Sequence, residues 1–235
     1  SMDPYTLNDN FVKSKIGEKI EDIRGDINCF DSLLDVFKKY KPEIVFHLAA
    51  QPLVRYSYEY PLETFQTNVI GTINLLQCIK NTKETKIGIM VMTDKVYENK
   101  EQIWGYKEND SLGGYDPYSA SKACADIAVQ SWRNSFFNPK DYSAHGKAIA
   151  SVRSGNVIGG GDWAKDRIIP GIVRSVEGNK PILIRNPHAI RPWQFVLDAL
   201  NGYLLLGQKL FEQPTEFSEP WNFGPEHTNI VDVYH

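Results

Sequence analysis

Three cysteines in 235 residues, Cys29, Cys78 and Cys124, are odd in number and far apart, and no Cys-x-x-Cys pair occurs. A disulfide framework and a zinc site are both disfavoured, and the expectation is a reducing, cytoplasmic setting with no metal. No apolar run approaches the roughly 20 residues that cross a bilayer, and no signal-peptide pattern is visible, so no membrane partner is expected. A net charge of only −3 supplies no broad basic surface, which argues against nucleic acid and leaves any anion site local. A glycine-rich phosphate loop is also missing from residues 1–25, where Pro4, Asn8, Asp9 and Asn10 suggest turns instead. Internal repeats and low-complexity tracts are absent. What is present is a globular composition, 42% hydrophobic and 23% charged, long enough to bury a large core in one or two domains.

The apolar pattern alternates between two periods. Leu33, Leu34, Val36 and Phe37 predict a helix over 31–40, with Lys38 and Lys39 in its last turn and Pro42 beyond it. The run Ile44-Val45-Phe46-His47-Leu48-Ala49-Ala50 reads as a strand buried on both faces. A helix over 62–80, a strand over 87–92, a helix over 118–136 and a strand over 148–152 follow. Such alternation predicts an α/β fold, a doubly wound parallel sheet with right-handed crossovers and ligands at the carboxyl ends of its strands. Polar clusters fall at those ends, over 51–55, 93–95 and 153–162. Past Gly155 the periodicity loosens and Gly, Pro and Trp increase, so residues 156–235 read as a smaller lobe with helices over 168–176 and 194–211.

One stretch concentrates chemistry. In Asp116-Pro117-Tyr118-Ser119-Ala120-Ser121-Lys122, Asp116 reads as a helix N-cap and Pro117 as the first helical residue. Tyr118 and Lys122 then share one face a turn apart. A nearby ammonium stabilises a phenolate and lowers a phenol's pKa from about 10, so the pair could take a proton from an alcohol or sugar hydroxyl. Taken alone, a tyrosine and a lysine at this spacing are more often a packed ring and a solvated amine.

Several longer motifs bear on that choice. His47-Leu48-Ala49-Ala50-Gln51-Pro52-Leu53-Val54-Arg55, Thr93-Asp94-Lys95-Val96-Tyr97-Glu98-Asn99 and Leu112-Gly113-Gly114-Tyr115-Asp116-Pro117-Tyr118-Ser119 stand in order along the chain. Arg153-Ser154-Gly155-Asn156-Val157-Ile158-Gly159-Gly160-Gly161-Asp162-Trp163 and Ile190-Arg191-Pro192-Trp193 continue the series. Together they resemble the extended branch of the short-chain dehydrogenases and, within it, the CDP-glucose 4,6-dehydratases, over about residues 26–225. The resemblance implies a Rossmann-like NAD-binding domain over 1–155 and a substrate lobe mainly over 156–235. It also implies a lyase of deoxysugar synthesis acting on a nucleotide sugar, CDP-glucose. A dTDP-glucose relative would carry Asp-Glu where this chain has Asp94-Lys95.

On that resemblance Thr93 hydrogen-bonds the substrate oxygen, Tyr118 is the base at the 4-hydroxyl and Lys122 is the cation beside it. Hydride passes from C4 to NAD, the C5 proton becomes acidic, water is lost across C5 and C6, and the hydride returns to C6. Asp94 would protonate the departing 6-hydroxyl and Lys95 would act as base at C5, a role that needs a lowered pKa. Asp26 and Ile27 are implied near the adenine, Leu48, Ala49, Ala50 and Gln51 along the dinucleotide, Thr93, Tyr118 and Lys122 near the ribose, and Gly155 and Val157 near the nicotinamide. For the substrate, the resemblance implies Val54 and Arg55, with Arg191, Arg167 and Asn156 at the diphosphate and Asn222 in support. Helices carrying Leu76 and Tyr118 pair between subunits in similar proteins, implying a homodimer or homotetramer.

The family's first strand and Gly-x-x-Gly-x-x-Gly turn would precede residue 1, and more of the substrate lobe would follow Pro225. That turn anchors the pyrophosphate, so the 235-residue chain alone is expected to have weak or no turnover. Two alternatives stay open: an epimerase or reductase on the same scaffold, which needs no Asp94-Lys95 pair, and a non-catalytic protein that binds sugar nucleotides or oligomerises.

Overall fold

The computed structural model describes residues 3–4, 6–226 and 230–233. Its elements begin with α1 (Asn10–Lys13), α2 (Phe30–Tyr40), β1 (Ile44–His47), α3 (Val54–Glu59), α4 (Pro61–Phe65) and α5 (Gly71–Asn81). β2 (Ile87–Val91), α6 (Pro117–Ser135), α7 (Tyr142–His145), β3 (Ala148–Ser154), β4 (Asn156–Ile158) and α8 (Ile168–Glu177) follow. The last are β5 (Ile190–Phe195), α9 (Val196–Glu212), α10 (Pro214–Phe217), β6 (Pro220–Phe223) and β7 (Ile230–Asp232). The chain forms two units, one of Gly25–Ser154 with Leu200–Phe223 and one of Ser1–Arg24 with Gly155–Ala199 and Gly224–His235. Residue 155 is therefore one boundary among several, because 200–223 returns to the first of these units and 1–24 belongs to the second.

The larger unit is built on a parallel sheet of order β1-β2-β3-β6. Its register assigns every strand residue to a face, since side chains alternate along a strand. Val45 and His47 pair with Gly88 and Met90, which pair with Ile149 and Ser151. This row faces α5 and α6, because His47 bonds Thr72 of α5 and Arg153 bonds Asp126 of α6. Phe46, Ile89, Val152 and Ser154 belong to the opposite row, against α9. There Gly207 lets Phe46 and Ile89 approach so closely that a Cβ would lie 3.2 and 3.3 Å from them. Helices on both faces make the sheet doubly wound, and a core that includes Leu76, Ile79, Met90, Val129 and Ile149 fills the α5/α6 side. Burial of such side chains supplies about 1.5–3 kcal/mol each, which is what holds these helices on the sheet.

Several boundaries differ from the periodicity. The first strand stops at His47, leaving 48–50 as a loop, and β3 runs on to Ser154. The helix expected over 62–80 is α4 and α5 joined through a π-turn at Gln66–Ile70. The helix expected from 194 begins at 196, because Gln194 and Phe195 pair with Val157 and Ile158 as the end of β5. At the amino end of the sheet Lys147 is buried, its ammonium donating to the carbonyls of Thr82 and Thr85 at 2.6 and 2.7 Å.

The smaller unit carries a three-stranded sheet of order β4-β5-β7, parallel between β4 and β5 and antiparallel between β5 and β7. Gly161, at φ 80°, sits so close to Asn10 that a Cβ would meet its backbone nitrogen at 2.7 Å, and Trp163 Nε1 donates to Asn8 O at 3.0 Å.

Candidate active site

The site starts from the way α6 begins. Asp116 caps it twice, accepting from Ser119 N at 3.0 Å and from Ser119 Oγ at 2.6 Å, so one orphan N–H of the first turn is satisfied locally. Just before it, Gly114 is pressed onto the helix: a Cβ there would lie 2.1 Å from the carbonyl carbon of Ser119. Tyr118 donates its N–H to Ser57 Oγ at 3.1 Å, and that hydroxyl donates to Val54 O at 2.6 Å, tying α3 to the same turn. Tyr118 and Lys122 are consequently fixed one turn apart, and both are buried, at 8% and 4% exposure. The Lys122 ammonium donates to the carbonyl of Val91, the last residue of β2, at 2.8 Å. Burial pushes its pKa down to about 8, against the pull of the Asp126 carboxylate one turn later, so it remains a cation at neutral pH.

From Val91 the chain leads directly to the other expected catalytic residues. Thr93 is buried, donates its hydroxyl to Asp94 Oδ1 at 3.0 Å and accepts from Lys95 N at 3.4 Å. It thereby caps the short 3₁₀ turn Asp94–Val96, which packs on α6. Asp94 is half-buried and Lys95 exposed. Thr93, Asp94, Lys95, Tyr118 and Lys122 thus occupy two segments in contact at the carboxyl end of β2, with the buried lysine bonded to the strand that delivers the threonine.

The loop after β1 is tied to the same helix by residues the sequence did not single out. Asn68, in the π-turn, accepts from Gln51 N at 2.7 Å and donates to Gln51 O at 3.1 Å and to Ser121 Oγ at 2.8 Å. Ser121 in turn donates to Tyr118 O at 2.7 Å. The Gln51 side chain is spent on Leu53 and Thr64, at 2.6 Å to Leu53 N and 2.8 Å to Thr64 Oγ1. Thr72 donates its one hydroxyl proton to Asn68 O, so His47 Nε2, 2.9 Å from Thr72 Oγ1, is the donor there. Burial, and then Lys122, hold that imidazole down to about 3, so it is neutral.

The remaining expected residues divide between the units. In the larger one Leu48 and Ala49 are exposed, Ala50, Gln51 and Val54 are half-buried and Arg55 is exposed. Asp26 is exposed and accepts from Asn28 N at 2.9 Å, while Ile27 packs on α5, its Cγ2 2.5 Å from where a Gly71 Cβ would stand. Asn222 makes internal bonds: its Oδ1 accepts from Tyr97 at 2.6 Å and its Nδ2 donates to Tyr106 O at 3.0 Å. In the smaller unit Gly155, Asn156 and Val157 lie half-buried at the start of β4, Arg167 pairs with Asp162 at 2.7 Å, and Arg191 donates to Ile190 O at 2.7 Å. Of the residues missed, Asp126 had a signal, its i+4 spacing from Lys122; Asn68, Ser57 and Ser121 act through contacts that sequence spacing does not encode. Among the described residues no helix is long and apolar enough to cross a membrane, and no group of three or more His, Cys, Asp or Glu could hold a metal ion.

Comparison with known proteins gives this arrangement a lineage. The chain is 52% identical over 233 residues to the CDP-glucose 4,6-dehydratase of Salmonella typhimurium, an alignment covering 99% of this chain and 65% of that protein. Among solved structures, the UDP-glucose 4-epimerase of Thermotoga maritima with UDP-glucose superposes at a TM-score of 0.75 and 20% identity, over 90% of this chain and 64% of that one. The dTDP-glucose 4,6-dehydratase of Streptomyces venezuelae with NAD and TYD superposes at 0.73 and 22% identity, over 89% and 61%. At those identities the structures establish the shared Rossmann-like fold. A family model described as GDP-mannose 4,6 dehydratase matches residues 6–218. The chain belongs to the GDP-mannose 4,6 dehydratase family.

Proposed function

We propose that the protein carrying this sequence is a cytoplasmic lyase that dehydrates CDP-glucose to CDP-4-keto-6-deoxyglucose with NAD. The carrying observation is the buried Lys122 cation on the Tyr118 helix, bonded to the last residue of the strand that leads into Thr93, Asp94 and Lys95. The relative that is 52% identical and bears the name CDP-glucose 4,6-dehydratase supports the choice of sugar nucleotide. Because the chain spans 65% of that relative's length, the activity is proposed for the whole protein.

Residues of this chain suit a dinucleotide. Leu48 and Ala49 expose apolar surface at the carboxyl end of β1, and Asp26 exposes a carboxylate beside Ile27, suited to a ribose hydroxyl. We assign these, with Ala50, Gln51, Thr93, Lys122, Gly155 and Val157, to NAD; when bound, NAD supplies the acceptor and donor of hydride. Tyr118 takes the proton of the sugar 4-hydroxyl, and the Lys122 charge makes the phenolate accessible near neutral pH. Thr93 orients the substrate oxygen and shares its proton with Asp94. Asp94 in its protonated form is assigned to give a proton to the leaving 6-hydroxyl, and Lys95 as the free amine to take the C5 proton. Val54, Arg55, Asn156, Arg167 and Arg191 are assigned to the sugar nucleotide, with Asn222 in a supporting role through Tyr97 and Tyr106. A homodimer or homotetramer is proposed through α5 and α6, and light scattering tests it.

The test is to incubate the whole gene product with CDP-glucose and NAD and follow the 4-keto product. Tyr118→Phe should lower its rate by about 10²–10⁴-fold, the usual worth of a positioned acid–base group, with sugar-nucleotide binding retained in calorimetry. Undiminished turnover in Tyr118→Phe would refute the reading.

A further inference from the structure

We propose that Tyr97 and Arg153 are positioning residues, a buried clamp that fixes the Thr93–Lys95 turn against the helix carrying Tyr118 and Lys122. The role in catalysis rests on the dehydratase reading; the clamp itself does not.

Arg153 stands on the α6 face of β3 and is 4% exposed. Its Nε donates to Asp126 Oδ2 at 2.6 Å, and its NH1 donates to Tyr97 OH at 2.8 Å and to Glu108 O at 2.9 Å. Asp126 lies one turn beyond Lys122 on α6, while Tyr97 lies two residues beyond Lys95. One guanidinium therefore bridges the two segments that hold the acid–base groups.

Tyr97 is bonded on every side that a phenol offers. It accepts from Arg153, donates to Asn222 Oδ1 at 2.6 Å, and stacks on Tyr106 with centroids 5.1 Å apart at 13°. The Arg153 guanidinium carbon lies 5.0 Å from the Tyr97 ring centroid, a cation–π distance. Asn222 N in turn donates to Glu108 Oε1 at 2.8 Å, closing the network onto β6.

The backbone shows what the clamp holds. Tyr97 opens a loop that returns antiparallel at Leu112, with Glu98 N donating to Ser111 O at 2.9 Å and Gly113 N to Val96 O at 2.8 Å. The loop leaves from Asp94–Val96 and comes back into Gly114, the glycine pressed on the first turn of α6. Tyr97 and Arg153 sit at its neck, where one polar cluster sets the distance between outgoing and returning strands. Burial raises the Tyr97 pKa, opposed by Arg153 and Asn222, so the hydroxyl keeps its proton. Burial also opposes the Arg153 charge, yet Asp126 and Tyr97 outweigh it and raise its pKa. The other ionisable neighbours are Arg133, which faces Asp126, and Glu108 beside Tyr97. The clamp therefore keeps one protonation state across the range in which Lys122 titrates.

Tyr97→Phe tests the assignment, because it retains the ring and the stack while leaving Arg153 and Asn222 each short of a partner. Hydrogen exchange at the amides of Val96, Glu98 and Gly113 should quicken about tenfold or more, with β2 and the interior of α6 unchanged. In the whole enzyme kcat should fall about tenfold at unchanged KM, and the alkaline limb of the pH profile should stay in place. Lys147→Met, which removes a buried polar anchor at the opposite end of the sheet, is the control and should leave kcat alone. Unchanged exchange in Tyr97→Phe, or an equal kcat loss in Lys147→Met, overturns the proposal. If the unsubstituted enzyme makes no product, the dehydratase reading fails, and the exchange measurement still decides the clamp.

Discussion

Lys122→Met should remove a pH dependence of stability that the unsubstituted protein shows above about pH 8. The Lys122 ammonium is buried, and its pKa falls from 10.5 to about 8. In the unfolded chain the same amine keeps its proton until about 10.5, so between the two values the folded state binds fewer protons. Below pH 8 both states are protonated and the cost of burying the charge is fully present. As pH rises from 8 toward 10.5 that cost is relieved, at about 1.4 kcal/mol per unit. Between pH 8 and 9.5 the gain over Lys122→Met is then about 2 kcal/mol. For a chain of this size it corresponds to roughly 4–8 °C in Tm. Melting both proteins at matched ionic strength from pH 7 to 9.5 reads the difference directly. A Tm gap that stays constant across this range would refute the burial argument. The same proton loss predicts that turnover declines on the alkaline side of about pH 8, because the phenolate of Tyr118 loses its neighbouring charge.

Other substitutions separate local from distant causes. Asp116→Ala should cost about 1 kcal/mol in thermal unfolding through loss of the cap, whereas Asp116→Asn, which caps as well, should restore most of it. Gly114→Ala drives a methyl into the Ser119 backbone at 2.1 Å and should destabilise by about 1–3 kcal/mol with a larger loss of turnover, read by melting and product assay. Lys147, also pushed down to about 8 by burial and then by Lys86, should show the stability signature of Lys122 in Lys147→Met melting curves.

The fold was legible wherever apolar periodicity alone fixes an element. The α2 stripe, the β2 run and the Asp116-Pro117 start of α6 all stand where the residues put them. Strand ends were less legible, because Leu48-Ala49-Ala50 is as apolar as the strand before it although only 44–47 pair with β2. Gln194 and Phe195 read as helix for a related reason, since the pairing that makes them strand comes from Val157 and Ile158, far away in sequence. The Tyr118–Lys122 pair could be read because both residues sit on one turn of one helix. The partners that fix them could not: Asn68 reaches Ser121 across 53 positions and Arg153 reaches Tyr97 across 56. The resemblance assigned Arg191 and Arg167 to an anion, and sequence had no means of showing that Arg153 is buried and bonded to Asp126 on the helix of Tyr118 and Lys122.

The π-turn at Gln66–Ile70 carries one residue more than a regular helix needs. Excising that residue would straighten the run from Pro61 to Asn81 into an ordinary spiral and improve its internal bonding. It would also remove the widened turn on which Asn68 stands. Asn68 would then lose either Gln51 or Ser121, so a shorter and more regular helix would cut the link between the loop after β1 and the Tyr118 helix.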